Sequence, residues 1–228
     1  MAAKKALHFG LNRSGTNYLK ELMLTHFNLE FVNKEGERDH PLHKHFRLYD
    51  NKSLIGRPNF RNDLVFHSFA EFETIAEKDQ AIDLYLVISK DPYSWHLSYK
   101  SWGKKNKWGP PPHPYVLEYN EFHRKWLDFS RESNKIHFVR YIDLLSDKAS
   151  VLYELRDKYK LELIKEIDTG LSIKKVPMSH RFSEKKARYY TEYRYLQDFS
   201  DDELKEINRN IDHELIAELG YKSYFSKI

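Results

Sequence analysis

The chain has no cysteine, so it carries no disulfide framework, no thiolate zinc site and no cysteine nucleophile. Long apolar runs are missing as well. None approaches the ~20 residues of a membrane span, and no amino-terminal apolar segment reaches signal-peptide length. Together these absences predict a soluble, cytoplasmic chain. Nor is there a strong excess of one charge. Lys and Arg number 38 against 34 Asp and Glu, a formal net charge of +4, too small to indicate a polyanion partner by itself.

What is present fits one α/β domain spanning residues 1–228, a length that buries about 70% of the unfolded-chain surface. Ala6, Leu7 and Phe9 form a strand-like run, and further apolar runs lie at Leu64 to Phe66, Leu84 to Ile88 and Ile136 to Val139. Helical patterns fall between them at Phe69 to Glu77, Tyr93 to Trp102, Tyr115 to Ser130 and Leu144 to Tyr159. This alternation predicts a three-layer sandwich with a central parallel sheet flanked by helices. From Ser183 onward the chain is helical, charged and Tyr-rich, with Asp201-Asp202-Glu203 opening a final helix that Gly220 closes. Asn33 to Asn62 and Gly103 to Pro114 read as connections of the kind that form binding loops or lids.

The densest local signal is Leu7-His8-Phe9-Gly10-Leu11-Asn12-Arg13-Ser14-Gly15-Thr16-Asn17-Tyr18. Tyr18, Leu19, Leu22 and Met23 recur at helical spacing, which places Gly10 to Thr16 between a strand and a helix. The first amides of such a helix lack internal partners and lie at the positive end of its dipole, which suits phosphate or sulfate oxygens. Ser14 and Thr16 add hydroxyl donors, and Arg13 adds a permanent charge whose fork matches an oxyanion. Four residues separate Gly10 from Gly15, as in a nucleotide P-loop, but Thr16 stands where that motif requires Lys. Ordinary ATP or GTP chemistry uses that Lys on the β and γ phosphates.

A second strand-to-helix junction is Ile88-Ser89-Lys90-Asp91-Pro92-Tyr93-Ser94-Trp95-His96-Leu97-Ser98-Tyr99. Asp91-Pro92 ends the strand and sets proline in the first helical turn. Lys90 then stands at the strand's carboxyl end and Ser98 about two turns along the helix, so a ligand above the sheet edge meets both. A basic group and a hydroxyl in that position can hold a second phosphate.

These two runs resemble the donor-binding motifs of sulfotransferases that use 3'-phosphoadenosine 5'-phosphosulfate (PAPS), in particular small soluble bacterial-type members. Arg13-Ser14-Gly15-Thr16-Asn17-Tyr18 resembles the 5'-phosphosulfate loop, which has a basic residue before Ser-Gly-Thr and then a polar and an aromatic or apolar residue. Lys90, Asp91-Pro92 and Ser98 resemble the 3'-phosphate motif, with Lys90 where Arg is commoner. Phe138-Val139-Arg140-Tyr141-Ile142-Asp143-Leu144-Leu145 resembles a further family segment and serves mainly as a structural marker. The resemblance implies PAPS as co-substrate, no metal, and release of adenosine 3',5'-bisphosphate. It also implies basic residues from the carboxyl region at the 3'-phosphate, for which Arg181, Lys185, Lys186 and Arg188 are candidates. On this reading Arg13 serves both donor binding and catalysis.

Transfer also needs a base for the acceptor's proton, and His titrates in the right range. Two His stand out. His45, in Pro41-Leu42-His43-Lys44-His45-Phe46-Arg47, resembles the Lys-His segment of soluble bacterial members, while His67 follows the apolar run Leu64 to Phe66 upstream of Lys90. His45 is slightly favoured. His8 reads as a core residue of the first strand, and His96 as facing solvent or the helix flank. With 16 Tyr, 14 Phe and 4 Trp, aromatic side chains are too plentiful to single out an adenine partner; Trp95, Tyr99 and Trp102 fit either core or an acceptor wall.

The resemblance implies an acceptor that offers a hydroxyl or amine, expected to be a small molecule, glycan or lipid, and no sequence pattern chooses among them. Two other functions fit parts of the pattern: a P-loop kinase using ATP, and a non-catalytic nucleotide or polyanion binder. No recognisable nucleic-acid motif accompanies the small net charge, so nucleic acid is not an expected partner.

Overall fold

The computed structural model describes residues 2–48, 64–109, 112–168 and 184–226. Among these residues four strands form one parallel sheet: β1 (Lys4–Phe9), β2 (Leu29–Phe31), β3 (Leu84–Ser89) and β4 (Ile136–Arg140), in the order β2-β1-β3-β4. Every residue of β3 is buried, and its sequence LYLVIS has no polar member before the terminal Ser89. That is how a strand covered on both faces reads.

Alternate side chains of β1 and β3 enter different cores. Leu7, Phe9, Tyr85 and Val87 join α2 (Phe69–Ala76), α3 (Pro92–Lys105) and α4 (Tyr115–Glu132) on one face. This core is strongly aromatic: Phe9 lies 4.6 Å from Trp126, and Phe72 lies 5.5 Å from Trp126, centroid to centroid. Ala6, Leu84, Leu86 and Ile88 face the other way, onto α1 (Thr16–His26), α5 (Tyr141–Ser146) and α6 (Lys148–Tyr159), where the filling is mostly aliphatic. The expected three-layer α/β sandwich is therefore the observed one. The carboxyl third is helical as expected, with α7 (Glu184–Thr191), α8 (Asp201–Asn210) and α9 (His213–Glu218). No helix among the described residues is long and apolar enough to cross a membrane.

Three expectations need correction. Leu64 to Phe66 is not a strand; Phe66 packs edge-on against Phe72 at 5.4 Å in the aromatic core, so its apolar character serves packing rather than pairing. The position in the sheet goes to β2, a three-residue edge strand too short to produce a periodic signal. The final helix is two: α8 opens on a capping box from Ser200 and Glu203, and Asp212 starts α9 by accepting from the Leu215 amide. Leu144 to Tyr159 is likewise divided, because Asp147 ends α5 and caps α6 through the Ser150 amide.

The strand order creates a switch point. The chain leaves β1 toward β2 on one side, then returns to place β3 on the other, and the crevice between their carboxyl ends is where open α/β sheets bind ligands. The β1 end continues into Gly10 and the β3 end into Lys90, so the two sequence motifs meet there. Gly15, the residue before α1, has φ 103°, and a Cβ on it would lie 2.5 Å from Cδ2 of Tyr141. A side chain there meets both a left-handed backbone and an aromatic ring. Gly15→Ala is expected to destabilise the protein by about 1–3 kcal/mol through strain and overpacking, a loss to be read from urea denaturation midpoints.

Candidate active site

At the switch point lies a cleft of about 240 Å³. Its first wall is the loop after β1. Gly10 donates its amide to the Lys44 carbonyl at 3.0 Å, Ser14 donates to the Leu11 carbonyl at 3.0 Å, and α1 then begins at Thr16. No side chain caps α1, α4 or α5, whereas α2, α3, α6, α8 and α9 are capped by Ser68, Asp91, Asp147, Ser200 and Asp212; the start of α1 lines the cleft. Its leading residues Thr16, Asn17 and Tyr18 line the cleft, together with Asn12, Arg13 and Gly15. An uncapped positive helix end facing a cleft is suited to an anion. Arg13 is exposed and adopts φ 73°, the left-handed region. Ser14 is placed differently from its neighbours: it is 1% exposed, and its hydroxyl is tucked under the loop beside Gly10 rather than on the cleft wall.

The second wall follows β3. Asp91 accepts from the Tyr93 and Ser94 amides at 3.1 and 3.0 Å and so starts α3 with Pro92 in its first turn. That start aims Lys90 across two turns of helix at Ser98, where Nζ donates to Oγ at 2.8 Å. Lys90 is 3% exposed, and its ammonium lies over the rings of Tyr190 at 4.3 Å and Tyr141 at 5.4 Å. Burial, with Arg13 and Lys186 nearby, lowers its pKa to about 7, against the opposing pull of Asp91. Lys186 is itself lowered by burial and by Arg13. Among the described residues no Asp or Glu lines the cleft. Its walls therefore present cations, hydroxyls and amides to whatever enters.

The third wall carries His45. Its Nδ1 lies 2.7 Å from the Gly10 carbonyl, an acceptor only, so Nδ1 holds the proton and Nε2 keeps the lone pair. Burial lowers the His45 pKa well below the usual range, with Arg47, His43 and Lys44 acting in the same sense and the Gly10 bond opposing. A neutral imidazole with one committed nitrogen and one lone pair has the form required of a general base.

The structure thus brings Arg13, Gly15, Thr16, Asn17, Tyr18, Lys90, Ser98 and His45 to one cleft. It does not bring His67 there. With no strand before it, His67 does not end at the sheet edge; it sits exposed ahead of α2, its amide bonded to Glu71. Of the carboxyl-terminal candidates, Lys186 is on the cleft wall, Lys185 and Arg188 are exposed, and Arg181 lies outside the described residues. Residues 49–62 and 110–111 of the two long connections also lie outside them. Trp95 and Tyr99 are fully buried, while Trp102 is only partly buried and lines the cleft. His8 is a buried residue bonded to Asn33, as expected, and His96 packs against Tyr115 and Phe199 rather than facing solvent. Tyr141 and Tyr190 also line the cleft, and the sequence motifs do not single them out. Tyr141 follows β4 directly, so the strand-end logic that picked out Lys90 applies to it as well; Tyr190 had no local signal.

No protein-family model and no curated protein matches the sequence. Among solved structures, a sulfotransferase domain from the curacin biosynthetic pathway is similar at a TM-score of 0.54 and 15% identity, covering 98% of this chain and 99% of that one. Mouse sulfotransferase SULT7A1 complexed with PAP covers 86% of this chain and 67% of its own, at a TM-score of 0.42 and 14% identity. The chain has the α/β fold of a sulfotransferase domain.

The buried ammonium has a measurable consequence without any ligand. Because the folded pKa of Lys90 is near 7 and the unfolded value near 10.5, the unfolded chain binds more protons between those pH values, and unfolding free energy rises with pH across them. Lys90→Met removes that contribution. Urea denaturation from pH 7 to 10 is expected to show a stability increment in the wild type that the variant lacks.

Proposed function

We propose that the protein is a sulfotransferase that moves a sulfuryl group from PAPS to a hydroxyl or amine and releases adenosine 3',5'-bisphosphate. The observation that carries this reading is the buried Lys90–Ser98 pair lining the same cleft as the uncapped start of α1 and Arg13. Two anion seats face one cleft, and a 5'-phosphosulfate together with a 3'-phosphate would fill both.

In this reading the amides of Thr16 and Asn17, the Thr16 hydroxyl and Arg13 hold the phosphosulfate. The acceptor's oxygen or nitrogen attacks sulfur in line. Its proton passes to Nε2 of His45, while the bond between sulfur and the bridging oxygen breaks. Negative charge then collects on the 5'-phosphate, where Arg13 and the helix amides neutralise it. As in phosphoryl transfer, positioning and electrostatics supply most of the rate. Lys90, Ser98 and Lys186 hold the 3'-phosphate, and charge-assisted contacts of this kind are the stronger sort. The aromatic faces of Tyr141, Tyr190 and Trp102 are available to the nucleoside.

A thermal-shift panel tests the donor. Adenosine 3',5'-bisphosphate is expected to raise the melting temperature, as a ligand that binds only the folded state does. Lys90→Ala combined with Ser98→Ala should weaken its binding by about 2–4 kcal/mol in calorimetry. Equal stabilisation by ATP and the bisphosphate would argue for a kinase or a general nucleotide binder instead.

A transfer assay tests the base. His45→Ala should reduce turnover at least about a hundredfold while His67→Ala leaves it near the wild-type value. Full turnover in the His45 variant would exclude the assignment.

A further inference from the structure

Behind His45 lies a buried ion pair that takes no part in the cleft wall. Arg47 and Glu118 are each 2% exposed, with Arg47 Nη2 3.5 Å from Glu118 Oε2. From there the guanidinium reaches two pieces of the site. Nη2 donates to Asn12 Oδ1 at 3.2 Å, and Nη1 donates to the His45 carbonyl at 3.4 Å. Glu118, on α4, also accepts from the Tyr99 hydroxyl at 3.3 Å and lies 3.3 Å from Nε2 of His113. One carboxylate is thus shared by the segment carrying His45, by α3, and by the connection between α3 and α4.

The consequence is a register. The His45 segment and the first loop are joined in sequence by Gly10 N–H to the Lys44 carbonyl, His45 Nδ1–H to the Gly10 carbonyl, and Arg47 to Asn12. The first two of these bonds use the backbone of the first loop, but the third needs a guanidinium held in the interior. A planar fork addresses Asn12 from Nη2 and the His45 carbonyl from Nη1, a fixed two-nitrogen geometry that a single ammonium nitrogen does not reproduce, and a buried cation stays in place only where an anion compensates it.

We infer that Glu118, acting through Arg47, is a positioning residue for His45, setting the alignment of its Nε2 over the phosphosulfate end of the cleft. The inference rests on the reading of His45 as the base. Neither Glu118 nor Arg47 lines the cleft, so neither is a catalytic residue in its own right. Arg47 is one of the cations that hold His45 below its usual range.

The test is a double-mutant cycle of Glu118→Gln with His45→Ala in the full chain, with steady-state sulfuryl transfer from PAPS as the readout. In the wild-type background Glu118→Gln is expected to lower kcat about ten- to hundredfold, with KM for PAPS changed less than about twofold. In the His45→Ala background the same substitution is expected to change nothing further. Equal losses in both backgrounds would overturn the inference, because a carboxylate that merely supports the fold costs the same with or without His45. An unchanged kcat for His45→Ala alone would remove the base, and the inference with it, a result distinguishable from equal losses. Should Glu118→Gln fail to fold, Arg47→Lys carries the same cycle, since it keeps the charge and loses the fork. Retention of the bisphosphate-induced thermal shift establishes that the variants compared are folded.

Discussion

An ammonium removed from water must be compensated, and Lys90 is buried in a cleft whose described walls carry no carboxylate. Much of the local architecture answers to that constraint. The Ser98 hydroxyl and two tyrosine rings take up part of the charge, and the remainder is expressed as a lowered proton affinity. The neighbouring acid, Asp91, spends its carboxylate on the head of α3. Because it accepts two backbone amides there, it orients the helix that delivers Ser98. Adjacent residues of opposite charge therefore serve one purpose by diverging: one fixes the helix and the other is left for an anion.

The same division appears among the helix starts. Among the described residues five helices close their amino ends with a side chain, while α1, like α4 and α5, does not. Its amides and dipole stay open, and the glycine that makes the turn possible is pinned under Tyr141. The switch-point topology then sets this open end beside Lys90, so that a backbone site and a side-chain site share one cleft. His45 enters from a third segment, held by the carbonyl of Gly10, which also determines its tautomer.

Local chemistry makes part of this legible in the sequence alone. Gly10, Arg13 and Gly15 announce a loop, and Lys90, Asp91-Pro92 and Ser98 announce a strand end and a helix start, because spacing within one helix fixes which side chains meet. The seat of His45 was legible only through resemblance to a family segment. His67 was misplaced because membership in a sheet is a long-range property: the run before it is apolar enough for a strand, yet its Phe66 is consumed by the aromatic core. β2 left no trace for the converse reason, being three residues paired at an edge. Tyr190 reaches the cleft with Lys186 through the docking of α7 beside α5; the resemblance points to Lys186 among four basic residues, while neighbours in sequence carry no record of the contact that brings Tyr190 there.

The separation of the two cores also governs which half of the molecule is optically visible. Trp95, Trp102, Trp108 and Trp126 all belong to the aromatic side of the sheet, and the aliphatic side under α1, α5 and α6 contains none. Tryptophan emission consequently reports on α3 and α4, with Trp102 extending that report to the cleft wall. Loosening of the opposite layer, including the helix whose amino end faces the cleft, would pass with little change in that signal.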